Sequence, residues 1–85
     1  MKGILLSTLI QCAGMTPHQY EKVRNEELKQ LEKRGYVVLA DGSKGKKEYV
    51  FVAEEDVDRW LYLTGSQLSE VYMPLYRHSV RNFKI

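Results

Sequence analysis

The first apolar positions of the chain form an interrupted run. Between Ile4 and Ala13, aliphatic side chains alternate in short groups with Ser7, Thr8 and Gln11. The run is far shorter than the roughly 20 apolar residues of a transmembrane helix, and its polar interruptions are atypical of a signal peptide. We therefore predict a core helix over residues 4–13, with neither a membrane span nor a leader.

The next segment carries the signals of a helix start and a helix end. Thr16 can cap the helix, Pro17 suits the first helical position and Gln19 can close a capping box. Gly35 is typical of a C-terminal stop. Between these signals the apolar side chains cluster on one side of a helix, and they are Tyr20, Val23, Leu28 and Leu31. We predict one continuous helix over residues 17–34.

The opposite side of this predicted helix is a polar stripe. Its members are spaced by four, three and four residues, which places them on one helix face, and they are His18, Lys22, Asn25 and Lys29. Lysine can bind guanine or phosphate and asparagine can pair with adenine, so the stripe is a candidate for major-groove contact. Gln19 and Arg24 are further candidates for base or backbone contact. A solvated helix face is the alternative interpretation.

A β-hairpin with a basic tip follows. Residues 36–40 and 48–52 are rich in β-branched and aromatic side chains, and the turn between them holds two glycines. Three lysines lie in or beside this turn, and they are Lys44, Lys46 and Lys47. They could track a phosphate backbone or probe a minor groove. Alternatively, the charges keep the strand edges from pairing with another chain.

The last third of the chain predicts two further helices. Residues 53–63 open with acidic side chains, which suit a helix N-terminus, and Thr64-Gly65 ends the element. Apolar residues then recur at helical spacing after Ser66, and Pro74 should break or kink that helix. Tyr72, Met73 and Tyr76 form a candidate partner interface, because tyrosine and methionine are enriched at interfaces. Completion of a small core is the alternative.

Composition limits what this chain can do. Its 85 residues and 9.9 kDa allow one small domain, in which we distinguish a folded unit over residues 1–65 from a C-terminal segment over 66–85. The single cysteine, Cys12, excludes an internal disulfide and favours the cytoplasm. No His, Cys or carboxylate spacing indicates a metal site, and we expect no cofactor, no small-molecule substrate and no catalysis.

The net charge of +2 hides an uneven distribution. Residues 17–48 hold eight Lys and Arg against six Asp and Glu, whereas residues 54–70 hold one against five. Residues 71–85 add three basic side chains and no acidic ones. Screening over roughly 8–10 Å separates these regions electrostatically, so a polyanion would respond to the basic segments locally.

The stretch from Leu28 to Leu63 resembles the excisionase-like and MerR-type winged helix family. The resemblance rests on the step Lys33-Arg34-Gly35, the basic hairpin at residues 45–52 and the acidic-opened stretch 54–61 that ends in Trp60-Leu61. Residues 9–16 are similar to that family's first helix and turn, so the resemblance covers roughly residues 5–63. The helix after Thr16 is about one turn longer than the family's recognition helix, with residues 25–27 as the extra turn.

This resemblance implies a fold and a function. The fold is α+β, a winged helix-turn-helix with the order helix, helix, β-hairpin, helix and a short C-terminal helix. The function is binding of double-stranded DNA by an architectural or regulatory factor, with helix 17–34 in the major groove and residues 41–47 on the backbone. The alternative is a protein-interaction module or inhibitor, acting as a homodimer or on another protein, because fold does not fix function.

Overall fold

A computed structural model describes residues 1–40 and 45–82, and for residues 39, 40, 46 and 47 it describes the backbone alone. The strands are β1 (Lys2–Leu5), β2 (Tyr36–Ala40), β3 (Lys46–Ala53) and β4 (Arg81–Asn82). The helices are α1 (Leu6–Cys12), α2 (Pro17–Val23), α3 (Glu26–Arg34), α4 (Val57–Thr64) and α5 (Met73–Ser79). Two single 3₁₀ turns, Glu54–Asp56 and Glu70–Tyr72, precede α4 and α5.

The strands form one antiparallel sheet in the order β2-β3-β1-β4. β2 and β3 make the predicted hairpin, with Val37 opposite Tyr49 and Val38 opposite Glu48. β1 pairs with the far end of β3, where Gly3 lies opposite Ala53. The α+β class is thereby confirmed. The sheet is larger than predicted, because the pairing of β1 and β4 joins the two ends of the chain.

The N-terminal prediction was wrong in its first residues. Ile4 belongs to strand β1, and the helix begins only at Leu6. Ile4 and Leu9 are both fully buried, so the apolar run does enter the core as predicted. The first part of the run is a strand, because its backbone hydrogen-bonds with β3. That partner is about 50 residues away in sequence, so no local pattern indicates it.

The predicted helix over residues 17–34 is two helices. The Thr16 capping box starts α2 as predicted, with Thr16 Oγ1 accepting from the Gln19 N–H at 3.1 Å. α2 ends at Val23, and Asn25 then caps α3 by accepting the Leu28 N–H on its side-chain oxygen at 3.0 Å. Arg24 and Asn25 adopt extended backbone, which breaks the helix. An asparagine followed by Glu26 and Glu27 is a helix start, and that local signal prevails over the continuous periodicity.

The core contains one stacked aromatic pair, Tyr20 and Trp60, whose ring centroids are 5.5 Å apart. Trp60 is fully buried, and so is Phe51 of β3. Cys12 is buried in the same core, as predicted, and burial raises the pKa of its thiol. Gly35 ends α3 as predicted, and a Cβ there would lie 1.6 Å from the Phe51 carbonyl oxygen. This glycine therefore fixes how closely α3 approaches β3.

The C-terminal segment departs from prediction at two places. Residues 66–69 are not helical, and Pro74 lies in the first turn of α5, where proline is accommodated, so it starts a helix. Tyr72 and Tyr76 pack against the core, and α5 packs on α1. Tyr36 is 47% exposed because its strand position faces away from the core side of β2.

Candidate nucleic-acid interface

Helix α3 presents three different sides. Leu28 is fully buried and Leu31 is half-buried, so this side faces the core. Glu26, Gln30 and Lys33, spaced by four and three residues, lie roughly opposite and are exposed. We call these three residues the α3 ridge. Within the described part of the chain, Gln30 and Lys33 make no side-chain hydrogen bond or ion pair. Glu26 pairs with Lys29 at 3.6 Å, so Gln30 and Lys33 are the ridge residues available to contact another molecule.

The side of α3 that faces α4 is held by ion pairs. Arg34 binds Asp56 at 3.2 Å and Glu55 at 3.1 Å, and Arg59 of α4 binds Glu27 at 2.6 Å. Asp56 is only 8% exposed, so its carboxylate depends on Arg34 for compensation. Two acidic residues of the 54–58 segment, Glu55 and Asp56, thus bind α3, while Glu54 pairs with Lys2 of β1 at 3.4 Å. Arg34 is a basic residue, but its charge is used in ion pairs with Glu55 and Asp56 of the same chain.

The opposite flank of α3 is anchored by a second cluster. Arg24 donates from Nε and Nη2 to the two carboxylate oxygens of Glu32, at 2.8 and 3.0 Å, and the Tyr20 hydroxyl donates to Glu32 at 2.8 Å. Burial and the bond to Glu32 raise the pKa of Tyr20, and the same carboxylate raises that of Arg24. This cluster locks the corner between α2 and α3.

An open groove lies between this flank and the hairpin. Its volume is about 410 Å³, and its lining residues are Arg24, Lys29, Glu32, Lys33, Tyr36 and Val50. We call it the α3–hairpin groove. Three cations line it against one carboxylate, and that carboxylate is already bound by Arg24 and Tyr20. The lysines lie toward the rim, and the tyrosine ring and Val50 supply an apolar wall.

The structure places the stripe residues apart. His18, Gln19 and Lys22 are exposed on α2, while Lys29 is exposed on α3 beside the groove and pairs with Glu26 at 3.6 Å. Asn25 uses its side chain as the cap of α3, and Arg24 is bound to Glu32. The predicted single stripe was therefore wrong, because the helix that would have aligned its four residues ends at Val23.

The hairpin lysines can be placed only in part. Lys44 lies outside the described residues. Lys46 and Lys47 lie in β3 by their backbone, opposite Ala40 and Leu39, at the end of the hairpin remote from β1. The sequence puts the three lysines at or beside the turn, and the backbone of two of them continues the β2–β3 ladder to its end at Ala40.

Sequence reasoning missed Gln30, Lys33 and Tyr36. The signal that would have found the first two was the helix start at Asn25-Glu26-Glu27. Once α3 is separated from α2, the positions of Leu28 and Leu31 place Gln30 and Lys33 outward. Tyr36 could be found only from the pairing register, which sets it opposite Val50 on the groove side of the hairpin.

The predicted partner residues lie mostly inward. Tyr72, Met73 and Tyr76 are half-buried, and burial raises the pKa of Tyr76. The side chains that this region exposes are Val71, at 81%, and Leu75, at 36%. Their spacing of four residues puts them on one side. The core-completing alternative therefore describes the two tyrosines, and the exposed apolar side of this segment is a different one.

Comparisons with protein-family models, with curated proteins and with solved structures find no match to this chain. Across residues 1–40 and 45–82, no group of three or more His, Cys, Asp or Glu side chains is arranged to hold a metal ion. Within the same residues, none of the helices has the length and apolar character required to cross a membrane.

Proposed function

We propose that this chain is a winged helix-turn-helix protein that binds double-stranded DNA, with α3 as its recognition helix. Two short helices meet at the Arg24–Asn25 corner, and the second leads through Gly35 into a β-hairpin whose inner strand pairs with β1. This order supports the winged helix interpretation. It also moves the recognition element from a helix over residues 17–34 to α3 alone.

One observation carries the proposal: the α3 ridge is exposed beside a cation-lined groove that the β2–β3 hairpin also lines. An α-helix fits the major groove of B-DNA, and α3, at nine residues, is about 13 Å long. Gln30 can pair with adenine and Lys33 with guanine or phosphate. Lys29 and the hairpin lysines would then contact phosphates on either side.

His18 and Lys22 have a smaller role in this arrangement. They lie on α2, which precedes the recognition helix, so they are suited to backbone contact rather than base contact. A protein with this few phosphate contacts binds weakly as a monomer, and we expect dimers or tandem sites to strengthen it. It would act in the cytoplasm as an excisionase-like architectural factor or transcription regulator, without chemistry of its own.

The test is DNA retention as a function of salt concentration. The double variant Lys46→Glu with Lys47→Glu should weaken binding to all sequences and lower the slope of log affinity against log salt, because each lost phosphate contact removes about 0.9 from that slope. Lys2→Glu with Arg77→Glu is the matched control. It changes the charge equally, but Lys2 lies in β1, which pairs with the end of β3 remote from Lys46 and Lys47, and Arg77 lies in α5.

The three possible outcomes are distinct. Loss of retention in the hairpin variant, with retention in the control, supports DNA binding through this surface. Equal loss in both variants means that net charge alone attracts the DNA. Absence of retention by the unmodified protein at low salt contradicts the proposal.

The exposed pair Val71 and Leu75 favours a second candidate, a protein-interaction module. An apolar side chain that is 81% exposed on a chain of this size is a candidate contact point. Under this hypothesis, Val71→Ser with Leu75→Ser removes capture of a partner protein or self-association in sedimentation, and DNA retention is unaffected. Tyr72→Phe is the control, because Tyr72 packs on the core.

A further inference from the structure

The α3–hairpin groove has an apolar, aromatic wall that contact with a blunt DNA duplex would not require. The Tyr36 ring is half-exposed, and with Val50 it forms an apolar wall in a groove of about 410 Å³. That volume lies within the roughly 300–1,000 Å³ of pockets that hold small ligands. Phosphates on a duplex surface need cations and hydrogen-bond donors, and they gain nothing from an exposed aromatic face.

The tyrosine ring lies on the exposed face of the hairpin. Tyr36 lies directly opposite Val50 in the β2–β3 ladder, and the nearby Glu48 carboxylate raises the pKa of Tyr36. Glu48 lies two residues from Val50 on β3, so it is a diagonal neighbour of Tyr36 across the hairpin. Tyr36 is 47% exposed at this position, so a flat ligand can reach its ring.

Charge in the groove selects an anionic ligand. Lys29 and Lys33 are exposed at its edge, while Arg24 neutralises Glu32 within it. Two further carboxylates lie nearby: Glu26, which pairs with Lys29 at 3.6 Å, and Glu48, which raises the pKa of Tyr36. A stacking ring in the same groove as lysines is the chemistry that binds single-stranded nucleic acid, in which a base stacks on the ring and neighbouring phosphates bind the cations.

We propose that the α3–hairpin groove binds an unpaired nucleotide, so that the protein prefers DNA in which a duplex adjoins a single strand. This inference rests on the proposed function, because Lys33 belongs both to the α3 ridge and to the groove lining. A strand that leaves a duplex lying on the ridge would enter the groove beside it. The unpaired base stacks on Tyr36, and Lys29 and Lys33 bind the phosphates on either side.

The experiment compares three DNA probes of one sequence at fixed salt: a blunt duplex, the duplex with a short unpaired overhang of either polarity, and the single strand. We expect the full chain to bind one of the overhang probes about tenfold more tightly than the blunt duplex, which is within the range for stacking one base. A 2-aminopurine at the first unpaired position should change fluorescence when it stacks.

Substitutions locate the effect. Tyr36→Leu should abolish the tenfold preference, whereas Tyr36→Phe, which keeps the ring, should retain most of it. Tyr62→Leu is the matched control, because Tyr62 is 75% exposed on α4 and lies beneath Arg59, 5.3 Å from the ring centre. Tyr36 is itself exposed, so the fold should survive its substitution, and circular dichroism verifies this.

Each other outcome overturns the inference in a recognisable way. Equal binding of blunt and overhang probes overturns it and leaves duplex binding intact. An overhang preference that survives Tyr36→Leu places the single strand elsewhere. Binding of a poly-glutamate peptide with the same Tyr36 dependence assigns the groove to an acidic protein segment. Failure to retain any DNA removes the proposed function and this inference together.

Discussion

The two flanks of α3 carry comparable positive charge and use it differently. On the flank toward α4, Arg34 is bound to Glu55 and Asp56, and Arg59 approaches from α4 to bind Glu27. On the flank toward the hairpin, Lys33 has no partner among the described residues and Lys29 has one long pairing to Glu26. Of two neighbouring residues in one helix, Arg34 therefore stabilises the fold, whereas Lys33 faces solvent.

This difference shows why counts of basic residues identify an interface poorly. Lys33 and Arg34 are adjacent in sequence and both are exposed in part, yet only Arg34 compensates a buried carboxylate. A charge that is already paired offers less to a polyanion, because displacing its partner costs the energy of the pair. Charges that lack a partner among residues 1–40 and 45–82, such as that of Lys33, are therefore the better candidates for a binding surface.

The largest expected effect comes from the residue that positions both flanks. Gly35→Ala would place a Cβ 1.6 Å from the Phe51 carbonyl oxygen, and the backbone N–H of Phe51 donates to the Gly35 carbonyl at 3.1 Å. The substitution must separate α3 from β3, and we expect it to cost more than about 4 kcal/mol, which a small domain does not withstand. Urea unfolding followed by Trp60 fluorescence measures the loss.

Gly14→Ala is the control for that substitution. Gly14 has φ of +73°, but a Cβ there meets nothing within 4 Å. Its cost should be roughly 1–2 kcal/mol from the left-handed backbone alone. Equal stability of the Gly35→Ala and Gly14→Ala proteins would mean that the close approach of α3 to β3 does not hold in solution.

The second prediction separates the two flanks directly. Arg34→Ala leaves the Asp56 carboxylate without its ion-pair partner at 8% exposure, and we expect the free energy of unfolding to fall by about 2 kcal/mol. Lys33→Ala should change it by less than about 0.5 kcal/mol. The salt dependence of DNA binding should show the reverse, with the slope lower by about 0.9 for Lys33→Ala and unchanged for Arg34→Ala.

Similar behaviour of Lys33→Ala and Arg34→Ala would contradict the difference between the two flanks. A stability loss of similar size in both would show that Lys33 also has a structural partner. An equal change of salt slope would show that Arg34 leaves its carboxylates when DNA binds.

The smallest predicted effect concerns the start of α3. Asn25→Ala removes the cap on the Leu28 N–H and should cost about 1 kcal/mol. Asn25→Ser keeps a capping oxygen without the amide, so it should restore most of the stability. Thermal unfolding of both variants measures this. If Asn25 also contacts adenine, as the sequence led us to expect, both variants lose base preference, and if it acts only as a cap, Asn25→Ser keeps it.

Local hydrogen bonding explains which parts of the fold were predictable. The capping box at Thr16 and Gln19, the stop at Gly35 and the hairpin strands depend on residues within a few positions of one another. The missed break at Arg24–Asn25 was also local, since Asn25 with Glu26 and Glu27 is a complete helix start. The break was missed because α2 and α3 both bury apolar side chains, and their spacing across the break is close to that of one continuous helix.

The candidate interface was predictable only in kind. The sequence indicated a basic hairpin and a polar helix face that included Lys29, which the structure exposes on α3 beside the α3–hairpin groove. It assigned Asn25 and Arg24 to DNA contact, whereas their side chains lie in a helix cap and an ion pair. Tyr36 was not among the predicted DNA-binding residues, because its position in the groove depends on the register between β2 and β3.

By itself, the sequence determined an α+β chain with capped helices, a lysine-bearing hairpin and an uneven charge distribution. The tertiary structure decided that β1 joins β3, that Arg34 meets Asp56 across 22 residues and that Arg59 meets Glu27 across 32. The physical reason is one of range. Caps and turns are closed by neighbouring residues, whereas strand partners, ion pairs and the exposure of Gln30, Lys33 and Tyr36 depend on which distant segments the core brings together.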